Sequence, residues 1–517
     1  MISADPQLTA QSWAIYLPLF VALPLAAAAL TVIWRRAWVE RTLMVGVPLA
    51  VLTGGVALVC LHRQVPVLAH GVGGYVPGIA IPFASDTLSA GMLVITGMAT
   101  MMSNIFLICT GEDRYRFVPS LALMLTAGVN GALLTADMFN LFVFVEVMLL
   151  PSYALLALTG TWRRLGVARM FIVVNLVTST FLLIGVGFVY GVTGTANLAA
   201  LVGVAAKDPR AGAAVALVLL ALSIKGGVVP VHGWLPRAYP ATSPGVMALF
   251  SGLHTKVALY GLYRIYATVY GGTAAPWMPV LALVVVVTMV VGALSTVGER
   301  RIRSALAYQM VSGVGHILIG LVVFTSASLA AGLFYMAHHI VTMGALVMGA
   351  GAIEKTYGTG RFDRLNGLIK RDPAVAVVIA LGLFSLVGLP PTSGLWGKVG
   401  LVTATVAAST NWLNIVIVIA IVLSSVVSLI AVQRLWGDVF WGKPMSRYRP
   451  DDAASGRGDL MPLPEDHRVS ARLIAPGAVM AALSVAMFLG AGWLFPVADR
   501  AARGLLDLGP YVQAVLR

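Results

Sequence analysis

Charged residues are scarce in this sequence of 517 amino acids: Asp, Glu, Lys and Arg make up 10% of it, while 59% is hydrophobic. A soluble domain carries about 25% charged residues, so this scarcity excludes a water-soluble globular protein. Cysteine is also nearly absent. The two that occur, Cys60 and Cys109, fall in different apolar segments and indicate neither a disulfide framework nor a metal cluster.

Long apolar runs occur throughout the sequence. Segments of about 20 residues, the length that an α-helix needs to cross a bilayer core, recur from end to end. We count fourteen runs, at about 13–33, 43–62, 86–109, 118–136, 138–160, 168–195, 211–231, 244–267, 277–297, 305–324, 327–352, 373–396, 411–433 and 471–496. They predict an all-α polytopic membrane protein with about 14 transmembrane helices. The first run has no basic region before it and no cleavage site close behind it, so we expect a retained span rather than a signal peptide.

The net charge of +14 is distributed by loop. Connections after odd-numbered runs hold 24 of the 34 Lys and Arg residues, the other connections and the C-terminal tail hold seven, and three lysines lie inside runs. Because positive residues concentrate on the cytoplasmic side, we expect a cytoplasmic-membrane protein with odd connections inside and both termini outside. Membrane lipids, rather than nucleic acid, are the expected counter-charge.

The chain shows no separate soluble domain. The longest polar stretch, 442–468, is rich in Pro, Gly and charge, which predicts a cytoplasmic loop with little structure of its own. We divide the chain into a three-helix N-terminal segment (1–110), a first repeat of spans 4–8 (111–270), a second repeat of spans 9–13 (271–435), and the loop with the last helix (436–517).

Two runs are interrupted by proline. The seventh contains "SIKGGVVPVHGWLP" and the twelfth gives way in "LVGLPPTSGLWGKVGL". Proline removes a backbone donor and opens the helix ladder inside the membrane. Each break carries one lysine, Lys225 or Lys398. If spans 4–8 and 9–13 form an inverted repeat, the broken spans 7 and 12 occupy corresponding places, a pattern that indicates a transport site.

Ionisable side chains inside apolar runs are the strongest functional signal. Glu146 lies nine residues after Asp137, about 13 Å along a helix and so near the midplane. A structural ion pair, a neutral buried acid and a proton-relay group all remain open for Glu146. Lys225 is its expected partner, and Lys256 adds a cation in the next run. Lysine can be neutralised by burial whereas arginine stays charged, and no arginine lies deep in a run, Arg264 being near an end.

The histidines are more ambiguous. His254 lies two residues before Lys256 and therefore points to a different helix face, so packing and relay roles both stay open. His316, His338 and His339 fall in runs ten and eleven. A satisfied buried histidine is the simpler interpretation of each, but an imidazole between two lysine sites is also a suitable bridge. Asp137, at the end of its run, is a weaker relay candidate.

Three segments resemble a known family. "TADMFNLFVFVEVMLLPSYAL", "IKGGVVPVHGWLPRAYPATSPGVMALFSGLHTKVALYGLYR" and "GLPPTSGLWGK" are similar to the antiporter-like subunits of respiratory complex I, membrane-bound hydrogenases and Mrp-type antiporters. Within that family, "FNLFVFVE" and "ALFSGLHTKV" resemble the D-type subunit of the Mrp-type multisubunit sodium/proton antiporters. The resemblance covers nearly the whole chain and implies a transporter subunit without a cofactor.

The resemblance assigns roles to individual positions. Glu146 and Lys225 match the pair that modulates proton uptake, and Lys256 matches a bridge along the central hydrophilic axis. Lys398 matches the lysine placed toward the exit. His339 aligns best with the family's eleventh-span histidine.

Two positions depart from the family pattern. Met343 stands where many members have a lysine, four residues after the eleventh-span histidine. The tenth-span histidine of some relatives falls near Gly313, with His316 one turn away. The axis between Lys256 and Lys398 therefore needs water or His316 for its continuity.

Three functions are compatible with these observations. The leading one is a proton-translocating subunit of a multisubunit Na⁺ (or other monovalent cation)/H⁺ antiporter, which works with other subunits and is not an enzyme. The alternative is a proton-pumping membrane-arm subunit of a complex I-like or hydrogenase-type oxidoreductase. A non-transporting scaffold would require the buried charges to be inert.

Overall fold

The computed structural model describes residues 11–75, 80–158, 162–451 and 458–517. Long helices dominate these ranges, because backbone groups in a bilayer must be satisfied internally. In chain order they are α1 (Leu19–Ile33), α2 (Ala37–Leu61), α3 (Thr87–Thr110), α4 (Val118–Leu134), α5 (Met138–Ala157), α6 (Trp162–Thr193), α7 (Pro209–Gly226), α8 (Pro244–Val269), α9 (Met278–Val297), α10 (Ile302–Val323), α11 (Ser326–Tyr357), α12 (Pro373–Val387), α13 (Ser393–Ala408), α14 (Trp412–Val439), α15 (Ala471–Leu489), α16 (Ala491–Leu506) and α17 (Gly509–Val515).

Shorter elements connect these helices. Single helical turns occupy Val204–Lys207, Trp234–Ala238 and Leu368–Arg371. Two antiparallel strand pairs join β1 (Val67–Gly71) to β2 (Pro82–Asp86) and β3 (Arg447–Tyr448) to β4 (Met461–Pro462).

The helices confirm an all-α polytopic membrane protein. Within the described ranges, eleven helices are long and apolar enough to cross a membrane, and α4 and α12 are shorter apolar helices. Helix α8 has the length, but His254 and Lys256 lower its hydropathy. The apolar windows of α1, α2 and α14 are 33% buried, whereas that of α11 is 94% buried. Polar side chains on α11 and its neighbours therefore face protein rather than lipid.

The first break follows Lys225 as the glycines and proline predict. Helix α7 ends at Gly226, and Gly227 takes a positive φ of 82°, which glycine adopts without steric cost. Trp234 Nε1 donates to the carbonyl of Ile224 at 3.0 Å, and the Val229 N–H donates to Thr288 Oγ1 at 3.1 Å. Side chains from neighbouring elements thus satisfy backbone groups that the break frees.

The second break separates α12 from α13. Gly388 follows α12 with a φ of 97°, and α13 begins at Ser393. Nζ of Lys398 donates to the carbonyl of Val387, the last residue of α12, at 2.7 Å. The C-terminal end of a helix carries partial negative charge and favours a cation. The broken half-helix therefore provides a counter-dipole for Lys398.

One expectation about the C-terminal region was wrong. The last predicted span, 471–496, is two helices, because α15 ends at Leu489 and α16 begins at Ala491 with Gly490 between them. Helix α16 packs its apolar face on α11, where Phe495 stacks on Phe334 at 4.5 Å between ring centroids.

In the polar stretch, the described residues 442–451 and 458–468 include the two-residue strands β3 and β4 and contact distant parts of the chain. Asp451 accepts hydrogen bonds from Arg301 at 2.9 Å and Arg364 at 2.6 Å, and Tyr448 stacks on His467. Arg301 and Arg364 lie 150 and 87 residues before Asp451 in the chain, and the composition of the loop does not reveal such contacts.

An arginine does enter the protein interior. Arg264, near the end of α8, is buried and forms an ion pair with Asp86 at 2.6 Å. Asp86 also caps α3 by accepting from the Ser89 N–H. The guanidinium lies over the rings of Tyr260 and Tyr511. This buried pair ties α8 to the start of α3.

Candidate functional site

Glu146 and Lys225 are joined through a serine. Ser179 on α6 donates a hydrogen bond to Oε1 of Glu146 on α5. Nζ of Lys225 on α7 donates to the same hydroxyl at 2.9 Å. Lys225 and Ser179 are buried, whereas Glu146 is half-buried. Because a hydroxyl accepts and donates at once, the three side chains form one hydrogen-bonded unit.

A small cavity lies beside Lys225. Asn175, Trp234 and His254 line it with Lys225, and its volume of about 10 Å³ holds about one water molecule. Nε2 of His254 lies 2.7 Å from Ser152 Oγ, and Nδ1 has no hydrogen-bond partner among the described residues. His254 thus lines the same cavity as Lys225, the lysine of the broken helix, and does more than fill space in the core.

Lys256 is the most enclosed of the predicted lysines, with 0% of its surface exposed. In the part of the chain that the structure describes, its ammonium donates one hydrogen bond, to Thr255 Oγ1 at 3.1 Å. Lys256 lines neither the cavity beside Lys225 nor the one beside Lys398. A buried ammonium with three donors and one partner is costly, so its position needs a reason other than stability.

His339 occupies the space that a side chain at position 313 would fill. A methyl group on Gly313 of α10 would collide with Nε2 and Cδ2 of the His339 ring on α11. Neither ring nitrogen of His339 has a partner within the described ranges. Lys256 is near enough to act on it electrostatically. Gly313 thus makes room for the ring of His339.

A second small cavity gathers the polar residues of the C-terminal half. It also measures about 10 Å³ and is lined by His316, His338, His339 and Lys398. Tyr335 stacks on His316 at 5.1 Å between centroids and meets His338 edge-on at 4.9 Å. His316 and Lys398 thus line the same cavity.

Lys398 reaches this cavity from α13. Besides the carbonyl of Val387, its Nζ contacts Ser425 Oγ of α14 at 2.8 Å. Met343 also lines the cavity. The position at which many relatives have a lysine is thus an apolar part of the cavity wall.

His338 has more polar partners than its neighbour His339. Its Nδ1 lies 2.8 Å from Ser393 Oγ and 3.2 Å from Thr342 Oγ1. These hydroxyls continue to Ser385 and Ser484 at 2.8 Å each. The resemblance singled out His339, while the sequence left His338 open between a satisfied buried histidine and a bridge between lysine sites.

Asp137 lies apart from both cavities. Its side chain caps α5 by accepting from the Asn140 N–H at 2.8 Å. Burial raises the pKa of this carboxyl, while backbone hydrogen bonds from Asn140 and Phe139 oppose that rise. The structure gives Asp137 a capping role and no hydrogen bond to Glu146.

Sequence reasoning missed the hydroxyls that connect the charged groups. Ser179, Ser425 and Ser484 each lie in a long apolar helix and contact a relay candidate or its partners. A serine inside an apolar run was the available signal. Which serine faces the interior depends on how the helices pack, and the run itself does not contain that information.

A family match covers the middle of the chain. The family described as "NADH:quinone oxidoreductase/Mrp antiporter, TM" matches residues 135–424. The chain is 32% identical over 451 residues to the D subunit of a Na⁺/H⁺ antiporter from Bacillus subtilis, covering 86% of this chain and 88% of that protein.

Solved structures share the fold. A chain in the structure of the Mrp complex from Dietzia sp. has a TM-score of 0.92 and 40% identity, covering 97% of this chain and 99% of that one. A chain of respiratory complex I from Thermus thermophilus has a TM-score of 0.77 at 23% identity, covering 95% and 99%. The second likeness concerns the fold alone.

Proposed function

Because this chain belongs to the NADH:quinone oxidoreductase/Mrp antiporter family, we propose that it is the proton-translocating subunit of a multisubunit monovalent cation/proton antiporter. It is a transporter subunit rather than an enzyme. The observation that carries the proposal is the unit in which Lys225 donates to Ser179 and Ser179 donates to Glu146. A proton can pass between the amine and the carboxylate through the hydroxyl, so neither end has to carry a permanent charge.

The relay proceeds through changes of charge state. A proton that reaches Lys225 strengthens its attraction to Glu146, and losing it weakens that attraction. The altered charge at Lys225 changes how strongly Lys256 holds its proton. The effect then passes to His339 and to the cavity that contains His316 and Lys398. Lysine suits the positions of Lys225, Lys256 and Lys398, because a buried amine can exist with or without its proton. Water bridges the remaining gaps.

The antiporter interpretation is favoured over the redox-linked alternative. The relatives with at least 30% identity include a protein named as an antiporter subunit, and the structure at 40% identity comes from an Mrp complex. The complex I chain shares only 23% identity and supports the fold. Co-purification of small Mrp-type subunits with this chain is the expected result, and co-purification with iron–sulfur or hydrogenase subunits would support the alternative.

The topology completes the proposal. Helices α4 and α8 and the pair α12–α13 join the eleven long apolar helices to make fourteen spans, with spans 4–8 and 9–13 as inverted repeats. Positive residues then place the odd connections in the cytoplasm and both termini outside, in the cytoplasmic membrane.

Partner subunits follow from the exposure of Glu146. Glu146 is half-buried on a helix whose Phe139 and Leu150 are exposed, and its position nine residues after Asp137 predicts a place near the membrane midplane. An ionisable group facing hydrocarbon is costly. A neighbouring subunit of the antiporter would cover this face of α5, with protons and Na⁺ or another monovalent cation as the transported species.

Glu146→Gln tests the function directly. Glutamine keeps an acceptor for Ser179 but removes the charge, so we expect exchange to fall about 10²-fold or more, from the lower limit of the range that proton-transfer groups contribute. Exchange is measured as Na⁺-dependent collapse of a pH gradient in everted membrane vesicles that contain the intact complex. Glu465→Gln, at an exposed position of the 442–468 loop, is the control. Wild-type rates in Glu146→Gln would overturn the proposed relay.

Ser179→Ala tests the bridge. Hydrogen bonds to charged groups contribute about 1.5–3 kcal/mol, so we expect exchange to fall about 10- to 100-fold while the complex still assembles. Thr180→Ala is the matched control, because Thr180 is exposed and its hydroxyl bonds its own helix. Equal rates in the two variants would show that Lys225 and Glu146 communicate without the serine.

A further inference from the structure

A chain of four buried hydroxyls next to His338 connects its own helix, α11, with three other helices. From Nδ1 the contacts run to Ser393 Oγ at 2.8 Å, on to Ser484 Oγ at 2.8 Å, on to Ser385 Oγ at 2.8 Å, and on to Thr342 Oγ1 at 2.8 Å. All five side chains are almost completely buried. The links come from α13, α15, α12 and α11, so the second break and the final long helices meet at this imidazole.

The hydroxyl chain supplies an acceptor for the N–H at Nδ1. With a proton on Nδ1, that group donates to Ser393, and the hydroxyls donate in turn from Ser393 to Ser484, to Ser385 and to Thr342, whose Oγ1 again lies 3.2 Å from Nδ1. Hydrogen bonds in such a chain polarise one another, which strengthens the first acceptor. Nε2 is then the free acceptor nitrogen, and a positively charged ring keeps its partner at Nδ1.

His339 lacks such support. Neither of its nitrogens has a partner among the described residues, and its ring fills the space beside Gly313. A charged imidazole there would have no acceptor, whereas His338 has one built from three other helices. His338 also lines the cavity that it shares with His316 and Lys398.

We propose that His338 carries the proton toward Lys398, and that the hydroxyls of Ser393, Ser484, Ser385 and Thr342 position it. Nε2 accepts a proton from water or His316 and forms an N–H bond. The same bond then breaks as the proton passes to the amine of Lys398, which leaves the ring neutral. The hydroxyl chain keeps its hydrogen bonds throughout. This inference rests on the proposed antiport function and assigns its second half to His338.

Other titratable groups also lie near His338. Lys256 on α8 acts on the adjacent His339, and the contacts from α12 and α15 are the hydroxyls of Ser385 and Ser484. The titratable or charged groups that face His338 are His316 from α10, Lys398 from α13, and Tyr335 and His339 from α11.

The test is the pH profile of exchange in vesicles that carry the whole complex. Ser484→Ala interrupts the chain, so we expect the rate to fall about tenfold and its acidic midpoint to move to lower pH by about half a unit or more. Ser484→Thr keeps the hydroxyl and is expected to retain the wild-type profile. Ser251→Ala is the control, because the hydroxyl of that buried serine donates to the Ala248 carbonyl of its own helix and has no other hydrogen bond among the described residues.

Two further variants keep the outcome decisive. Ser393→Ala breaks the chain at the imidazole and replaces Ser484→Ala if that variant does not assemble. In a His338→Gln background, Ser484→Ala should cause no additional change in the midpoint. An unchanged midpoint in both serine variants, with or without a lower rate, overturns the role of His338. Normal exchange in Glu146→Gln would instead overturn the proposed function itself.

Discussion

Lys225→Arg is expected to abolish exchange although it preserves the positive charge. A guanidinium keeps its attraction to Glu146 and can still donate to Ser179, but it cannot release its proton at physiological pH. If the relay needs an amine that changes charge state, the rate should fall by about 10²-fold or more, the lower limit of the range for general acid–base groups. The measurement is Na⁺-dependent proton exchange at equal amounts of assembled complex.

The substitution separates two roles that Lys225→Ala would confuse. A structural ion pair tolerates arginine, whereas a titrating amine does not. Lys207→Arg, the same change at an exposed lysine before α7, should leave exchange unchanged. Retention of at least half of the wild-type rate by Lys225→Arg would show that only the charge matters there, and the relay would then have to begin elsewhere.

Lys256→Met is expected to abolish exchange without destabilising the protein. Lys256 is fully enclosed, and its hydrogen bond to Thr255 does not offset the desolvation of an ammonium. Methionine has a similar length, an unbranched stem and no charge. Replacing buried charge by apolar side chains is often neutral or stabilising by about 1–4 kcal/mol. We therefore expect an unchanged or raised melting temperature together with about a 10²-fold loss of exchange.

The opposite signs of the two effects make the result informative. A lysine that stabilises the fold would lower the melting temperature when removed, and a lysine that transfers protons would not. Lys355→Met, at an exposed position near the end of α11, is expected to change neither quantity. A large loss of stability in Lys256→Met, or normal exchange, would contradict a relay role for this side chain.

Local chemistry explains which features the sequence could predict. The breaks after Lys225 and before Lys398 are visible because glycine and proline act on the backbone where they stand. Membrane insertion follows from apolar runs that are long enough to cross a bilayer. The lysines and Glu146 stand out because charge is rare in such runs. The last span was predicted to run to about 496, whereas α15 ends at Leu489 and Gly490 separates it from α16.

The sequence by itself determined that this protein lies in a membrane, where two of its helices break, and which ionisable side chains are buried there. Only the tertiary structure decided that Ser179 bridges Glu146 and Lys225, that Ser484 joins the hydroxyls beside His338, and that Asp451 pairs with Arg301 and Arg364. Ser179 and Lys225 are 46 residues apart, and Ser393 and Ser484 are 91 apart. Contacts over such separations depend on which faces of the helices meet. That is decided by packing among many apolar surfaces rather than by any one segment.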